Sequence, residues 1–473
     1  MKFSVDRIDF FERPLRLRLP FRFGAATVTE ASQAFVRVRI HTADKKEAEG
    51  AAAELLAPRW FDKSPELSEA DGVAQLRDSL HMARDAYLAG GINTAFGHSI
   101  DNYGPQIAIA ALKGLNNLTA SFGPALIDRA LLDALGRALG RSFFDMIERN
   151  VPGIQAPGWQ QDLQAFDMDE YLESMRPAKT IAVRHTVGLL DPITAADVGQ
   201  PVGDGLPETL EQAIERYGHR WFKLKLSGEV AQDLERLAAI AAVLDRSGAP
   251  YQATLDGNEQ FESAEAALEL WRAVRADARL KCLASAVAYI EQPVKRLNAL
   301  SGGAGSDVSE LAEEKPVIID ESDDTLEAFP RARRLGYTGV SSKTCKGFYK
   351  AILNSARCRL WNREEGSSRY FVSGEDLTTQ AGLAVQQDLA LAGLLGLAHV
   401  ERNGHHYVNG MAGAPEAEQE AFLAAHGALY ERSHGAVRLK IVEGSVALSS
   451  LGCPGFAGGA MPDWNAMTEM KGP

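Results

Sequence analysis

The pattern of apolar and polar positions changes near residue 180. Before that point, residues 33–42 (QAFVRVRIHT) alternate apolar and polar side chains, which predicts a strand with one buried face. Helical spacing follows over 68–90, 104–120 and 123–142, where the last segment has Pro124 near its start. Residues 150–178 are rich in Pro, Gly and Gln and predict an irregular domain boundary.

From about residue 180 onward, short apolar segments alternate with amphipathic helices. This alternation predicts parallel strands, and eight such units in roughly 250 residues predict an α/β fold of the (β/α)8 type. The predicted strands are IAVRHTVGL (181–189), WFKLKLS (221–227), YQATLD (251–256), VAYIEQ (287–292), PVIIDES (316–322), TGVSSK (338–343), RYFVSGE (369–375) and LAHVE (397–401).

Composition and charge narrow the classes of partner and the cellular location. The net charge is −13 and no Lys/Arg cluster occurs, so nucleic acid and anionic membranes are not expected partners. The four cysteines form no CxxC pair, which favours reduced thiols. The first twenty residues carry charges throughout and lack the apolar core of a signal peptide. We therefore expect a cytoplasmic protein.

Chargeable residues stand at the ends of successive predicted strands. In a barrel, the carboxyl ends of the strands meet at one mouth, where catalytic groups collect. One such residue means little, but a charge at the end of six successive strands indicates a functional site. These residues are Lys223 and Lys225, Asp256, Glu291, Asp320, Lys343 and Glu375.

Three of these residues, on adjacent strands, are carboxylates: Asp256, Glu291 and Asp320. Three acids that point at one place repel each other unless a cation lies between them. Oxygen donors without His or Cys favour a hard ion. The pattern therefore predicts a site for Mg²⁺, with Mn²⁺ as an alternative.

The lysines stand on either side of that predicted site. Lys223 and Lys225 share one face of the second strand, and Lys343 follows the sixth. A lysine that acts as a base near neutral pH needs a pKa of about 7–8. A second ammonium and a divalent cation both push the pKa down. We therefore interpret the Lys-x-Lys pair as a means of making one lysine a base.

Taken together, these motifs resemble the enolase superfamily. Lys-x-Lys on strand 2, Asp-x-Asn on strand 3, EQP on strand 4, DES on strand 5 and Lys on strand 6 are similar to the mandelate racemase/muconate lactonising enzyme family, and most to its muconate-lactonising-like subgroup. Residues 125–142 resemble the last helix of that family's capping domain.

The resemblance implies a specific organisation. An α+β capping domain formed by residues 1–150, and completed by the tail 410–473, would cover a modified TIM barrel at 151–409. Mg²⁺ would bind Asp256, Glu291 and Asp320. Lys225 and Lys343 would be acid/base groups on opposite faces of the substrate, and Lys223 would assist Lys225 and the substrate carboxylate. We expect the strand-like residues 436–450 to pack on the N-terminal segment rather than on the barrel.

Several features depart from the family pattern and bear on substrate choice. Extra helix is predicted near 68–118, and Lys346 and Lys350 follow Lys343 where a Gly-Gly pair is usual. The roles of Lys346, His405 and His406 stay open. The candidates for substrate contact are Glu375 at the seventh strand, Asn258 beside the predicted metal site and Arg22 in the predicted specificity loop.

The expected reaction is removal of a proton α to a carboxylate, with an enediolate intermediate, from a small-molecule carboxylate substrate. Racemisation or epimerisation is the first interpretation, because two lysines on opposite faces can remove and return a proton. Cycloisomerisation or syn-elimination of the succinylbenzoate-synthase type is an alternative. A barrel that binds metal without catalysis is an alternative of another class. We also expect a homo-oligomer.

Overall fold

The N-terminal part of the chain forms an antiparallel sheet in this computed structural model, which describes residues 1–23, 26–303 and 305–470. The two longest strands, β1 and β2, form a hairpin, and β3 pairs with the far side of β2. The sheet strands are β1 (Lys2–Phe23), β2 (Ala26–Thr42), β3 (Glu47–Leu56) and β4 (Ile92–Thr94).

Helices pack on one face of this sheet. Gly50 of β3 lies against the helix Asn117–Leu139, where an added Cβ would stand 2.3 Å from the carbonyl oxygen of Ala130. Only glycine permits this close approach. The helices before the barrel are α1 (Pro58–Phe61), α2 (Glu69–Ala89), α3 (Ala95–Leu112), α4 (Asn117–Leu139), α5 (Phe143–Glu148) and α6 (Met168–Ser174).

The helix boundaries differ from the predicted ones at two places. The predicted helix 104–120 is wrong as a single element, because the chain turns at Gly114 (φ +77°) and Asn116 caps the next helix by accepting from the Thr119 amide. Pro124 therefore lies inside α4 rather than near its start. The boundary segment 150–178 contains the short helix α6 instead of being irregular throughout.

A closed barrel of eight parallel strands follows, and its first and last strands pair with each other. All eight predicted strands are confirmed. They are β5 (Thr180–Val187), β6 (Trp221–Lys225), β7 (Gln252–Asp256), β8 (Val287–Glu291), β9 (Val317–Ile319), β10 (Gly339–Ser342), β11 (Phe371–Gly374) and β12 (His399–Arg402).

Helices cover the outside of the barrel between successive strands. Their apolar faces form a core with the outward side chains of the strands. These helices are α7 (Leu210–Tyr217), α8 (Val230–Arg246), α9 (Ala264–Ala276), α10 (Lys281–Ala286), α11 (Arg296–Ala299), α12 (Ser309–Glu314), α13 (Ala328–Arg334), α14 (Phe348–Glu365), α15 (Leu383–Leu394) and α16 (Gly404–Tyr407). No helix in the described ranges is long and apolar enough to cross a bilayer.

The tail contacts both the barrel and the N-terminal sheet with its helices, which are called the cap below. After α17 (Glu416–Ala425), β13 (Tyr430–Ser433) pairs with β14 (Ala436–Leu439), and β16 (Thr468–Glu469) pairs with β1. However, β15 (Ser445–Ala447) pairs with β5 of the barrel, contrary to the expectation for 436–450. The register of the barrel explains the position of β15. Because β6 pairs with β5 only from Arg184 onward, the backbone of residues 180–182 is open on that side for pairing with β15.

Candidate active site

Strand register brings the predicted site residues side by side. Lys225 is the register partner of Asp256, and Asp256 is the partner of Glu291 on the next strand. Asp320 and Lys343 directly follow β9 and β10. The second and sixth barrel strands, β6 and β10, are diametrically opposed in an eight-stranded barrel. Lys225 and Lys343 therefore stand on opposite sides of the mouth.

Lys223 lies at the point where the acids converge. Its Nζ is 2.8 Å from Glu291 Oε1, 2.7 Å from Glu375 Oε2 and 3.0 Å from both Glu401 Oε2 and Asp256 Oδ2. Burial lowers the pKa of Lys223, but the four carboxylates outweigh burial and raise the pKa well above its ordinary value. Lys223 is therefore a fixed positive charge in the floor of the mouth.

The catalytic candidate Lys225 has fewer acidic partners than Lys223. Its Nζ donates to Asp256 Oδ2 at 2.6 Å and to Asn258 Oδ1 at 2.8 Å. Asn258 also donates from Nδ2 to Glu321 Oε1 at 3.1 Å. Asn258 therefore helps to position the Lys225 ammonium group.

Lys343 is held by one acid and one aromatic ring. Its Nζ donates to Asp320 Oδ2 at 2.6 Å and lies 4.2 Å from the centre of the Trp60 ring, which α1 of the cap supplies. Burial lowers the pKa of Lys343, but the Asp320 carboxylate outweighs burial and the pKa is raised. At Lys223 and Lys343 the pKa is therefore raised rather than lowered. The reason is that carboxylates surround these lysines more closely than other cations do.

Lys346 is a further buried cation at the same site. Its Nζ lies 3.4 Å from Asp320 Oδ1 and 3.2 Å from Asp323 Oδ2, and it donates to Ser341 Oγ at 2.7 Å. Lys346 is therefore buried beside Asp320 and does not face solvent. With Lys343 it lowers the pKa of Asp320 well below its ordinary value, against the effect of burial.

The carboxylates Asp256, Glu291 and Asp320 offer the oxygen donors that a hard divalent cation binds, although their oxygens do not all lie within 4.8 Å of one another. Burial raises the pKa of Glu291 well above its ordinary value, and the nearby Asp256 and Glu375 carboxylates raise it further. Glu291 Oε2 lies 2.7 Å from Lys223 Nζ but outside hydrogen-bond geometry, so this buried oxygen accepts no hydrogen bond among the described residues. Because the Lys223 ammonium already occupies the focus of these oxygens, a bound cation would have to share them with it.

Two important residues of the mouth were missed from the sequence. Glu401, the residue that ends the predicted strand LAHVE, accepts from Thr186 Oγ1 at 2.6 Å and contacts Lys223. The rule that strand ends carry the chemistry would have found Glu401 if it had been applied to the eighth strand. Arg184 is fully buried inside β5 and pairs with Glu375. A single arginine inside a strand carries no comparable sequence signal.

A cleft lies between the barrel mouth and the cap. Its polar wall includes both Lys225 and Lys343, together with Asp376, Glu401 and Asn403 from the last strands. Its opposite wall is mainly apolar and comes from the cap: Leu17, Phe21, Val28, Ala31, Leu55, Leu56, Ala57 and Trp60.

The three predicted substrate contacts lie in different environments. Glu375 is fully buried and is bound by Arg184 and Lys223, so it lies beneath the cleft rather than in its lining. Asn258 is likewise buried under Lys225. Arg22 is exposed on the β1–β2 hairpin, where its carbonyl oxygen accepts from the Leu189 amide at 3.3 Å.

Comparisons with known proteins show the fold of the chain and a family to which part of the barrel is similar. Residues 205–347 match the family described as enolase C-terminal domain-like. No curated protein matches the chain by sequence. Residues 205–347 are therefore similar to that family, and the closed barrel with its antiparallel cap matches the enolase superfamily fold.

Solved structures of this superfamily align over nearly the whole chain. An enolase from Bradyrhizobium complexed with magnesium and mandelic acid is 16% identical, with a TM-score of 0.59 and coverage of 100% of this chain and 99% of that one. A muconate lactonizing enzyme from Pseudomonas fluorescens complexed with muconolactone is 17% identical (TM-score 0.55, 98% of both chains). The L-Ala-D/L-Glu epimerase from Bacillus subtilis is 15% identical (TM-score 0.56, 96% and 98%).

Proposed function

We propose that this protein is a Mg²⁺-dependent enzyme that removes the proton α to a carboxylate, as a member of the muconate-lactonising-like subgroup of the mandelate racemase/muconate lactonising enzyme family. The observation that carries the proposal is the cleft with Lys225 and Lys343 in its wall on opposite sides of the mouth. Racemisation or epimerisation of a small carboxylic acid is the reaction that this arrangement supports best.

Asp256, Glu291 and Asp320 would hold the metal. Bound there, Mg²⁺ supplies positive charge to stabilise the enediolate that forms when the α-proton leaves. Lys223 adds fixed positive charge beneath the same carboxylates, because four acids keep it protonated. It is buried and absent from the cleft lining, so Lys225 rather than Lys223 is the base on that face.

The two lysines would divide the proton transfers. A proton taken by Lys225 Nζ from one face and a proton delivered by Lys343 Nζ to the other face invert the α-carbon. The apolar cap wall, with Trp60 against Lys343, excludes water from the reacting face.

One observation favours the alternative of a one-base reaction. Lys343 is paired with Asp320 and stacked on Trp60, and its raised pKa keeps it charged. An ammonium held in this way suits electrostatic stabilisation of an enediolate, with Lys225 as the single base. Cycloisomerisation and syn-elimination are reactions of this kind.

The proposal is tested by a screen for exchange of the α-proton. N-acylamino acids, dipeptides and hydroxy acids are incubated with protein and Mg²⁺ in deuterated water, and mass spectrometry detects a gain of one mass unit. We expect exchange with at least one class, and none with the folded double variant Lys225→Ala/Lys343→Ala. Mg²⁺ binding without exchange of any acid would overturn the proposal in favour of a metal-binding barrel without catalysis.

A further inference from the structure

A cluster of buried histidines lies outside the barrel, away from the residues that line the cleft. His185 is on β5, where the neighbouring residues Arg184 and Thr186 contact Glu375 and Glu401 inside the barrel. Because side chains alternate along a strand, His185 points outward. His219 lies just before β6, and His405 and His406 are in α16 after β12.

The rings are in mutual contact. His185 and His219 stack with centroids 4.8 Å apart and planes 17° apart, and His405 lies 5.4 Å from each of them. One ring nitrogen from each of His185, His219 and His405 can be chosen so that the three lie within 4.8 Å of one another. Within the described ranges, these three residues are the group of potential metal ligands that converges most closely; Asp256, Glu291 and Asp320 do not form such a group.

Most of these nitrogens have no hydrogen-bond partner in the part of the chain that the structure describes. They are Nδ1 of His185, both ring nitrogens of His219, both of His405, and Nδ1 of His406. His185 and His219 are 1% and 0% exposed, so bulk water does not reach them. The Val183 carbonyl faces His219 and favours its protonated form, but the contact does not meet hydrogen-bond geometry. Buried polar atoms without partners are rare and point to an absent ligand.

We propose that His185, His219 and His405 form a second metal site, which binds Zn²⁺ or a similar transition-metal dication. Three imidazole nitrogens with one open position are a familiar zinc ligand set. Zn–N bonds of about 2.0–2.1 Å require nitrogens roughly 3.4 Å apart, so binding would draw the rings together by side-chain rotation.

The surroundings select the class of metal. No carboxylate of the described residues takes part in the converging group, whose three members are all imidazoles. Mg²⁺ and Ca²⁺ depend on charged oxygen ligands, whereas Zn²⁺, Co²⁺ and Cu²⁺ bind neutral imidazole well. Burial lowers the pKa of His185 to about 4, so its ring is neutral and need not lose a proton to bind a metal.

A metal ion bound by these three histidines would also stabilise the fold locally. β12 and β5 form the seam at which the barrel closes, and His405 follows β12 while His185 lies on β5. Arg18 of the cap donates to the His406 carbonyl oxygen at 2.9 Å. An ion held by His185, His219 and His405 would therefore fasten the seam and the loop that carries Asn403 into the cleft.

The test uses Co²⁺ as a spectroscopic probe on the full chain, stripped of metal and then saturated with Mg²⁺ to occupy the barrel mouth. We expect one additional equivalent of Co²⁺ with the visible absorption of a nitrogen-ligated ion, displaced by one equivalent of Zn²⁺. His219→Gln and His185→Gln should each weaken Co²⁺ binding by more than about 100-fold. A loss of that size exceeds the one expected when a residue that only supports a metal ligand is removed.

Two controls separate the proposed site from other sites. Asp256→Asn should keep the Co²⁺ spectrum, because it alters only the mouth, and so should His41→Gln on the cap, whose side chain is 41% exposed. If the buried variants fail to fold, His405→Ala, at a residue of intermediate exposure, replaces them, and Zn²⁺ must still raise the Tm of the Asp256→Asn protein. Absence of the additional equivalent, or histidine variants that keep the spectrum, would overturn the proposal.

Discussion

In the barrel mouth, buried carboxylates lie against buried ammonium and guanidinium groups, whereas the histidine cluster outside β5 holds neutral rings whose nitrogens lack such partners. Lys223 alone contacts four acids, while neither ring nitrogen of His219 has a hydrogen bond to any described residue. Charge pairing offsets the cost of burial in the mouth. In the cluster that cost is not offset by the described residues, which is why the cluster points to a ligand.

The largest effect is expected from removing the bases of the mouth. Lys225→Arg and Lys343→Arg keep the positive charge but take away a group that can accept a proton near neutral pH. Turnover of a substrate found by the exchange screen should fall by about 10²–10⁴. Steady-state kinetics measures this loss, and the exposed Lys295→Arg is the matched control that should keep full activity. Full activity in both site variants would remove the lysines from the mechanism.

A smaller effect is expected on metal affinity. Asp256→Asn removes one negative charge from the proposed ligands, and it should weaken Mg²⁺ binding by more than about tenfold while the fold is kept. Isothermal titration calorimetry gives the affinity, and circular dichroism checks the fold. Asp245→Asn, at an exposed residue that accepts from Tyr251 Oη, is the control. Equal Mg²⁺ affinity in the wild type and in Asp256→Asn would contradict the proposed site.

The smallest effect concerns Asp128, a buried acid that is bound by hydroxyl groups and, within the described ranges, by no cation. Tyr87 Oη and Ser99 Oγ donate to it at 2.7 and 2.6 Å. Burial raises its pKa to about 7, although both hydrogen bonds act in the opposite direction. The folded state thus keeps a proton that the unfolded state has lost between about pH 4 and 7, and stability falls as pH rises through that window.

Asp128→Asn stays neutral and should flatten this dependence. Urea unfolding at pH 5 and pH 8 measures it, since the loss of stability between the two pH values should be smaller in the variant than in the wild type. Asp169→Asn, at an exposed residue, should behave as the wild type does. An unchanged dependence in Asp128→Asn would mean that the carboxyl is already ionised in the folded protein.

The sequence predicted the barrel well because its signal is periodic and local. Six successive strands end in a chargeable residue at about one strand–helix unit from the last, and the register of β6, β7 and β8 places Lys225, Asp256 and Glu291 in line. The break between α3 and α4 was missed because an asparagine cap and a left-handed glycine terminated an apolar pattern that continued in sequence.

Contacts between distant segments could not be predicted. The histidine cluster joins residues separated by nearly the whole barrel, and no spacing rule links His185 to His405. The state of the lysines was also unpredictable, because it depends on how closely Asp320 and Glu401 approach them in space. Pairing of β15 with β5 depends on an offset in strand register that only the fold reveals.

The most direct test of the two-faced site follows deuterium incorporation into each pure enantiomer of a substrate by NMR. Lys343→Ala should keep α-proton exchange for the enantiomer served by Lys225 and lose interconversion, and Lys225→Ala should show the opposite preference. Loss of exchange for the same enantiomer in both variants would contradict the account, and a one-base cycloisomerisation or elimination would then replace it.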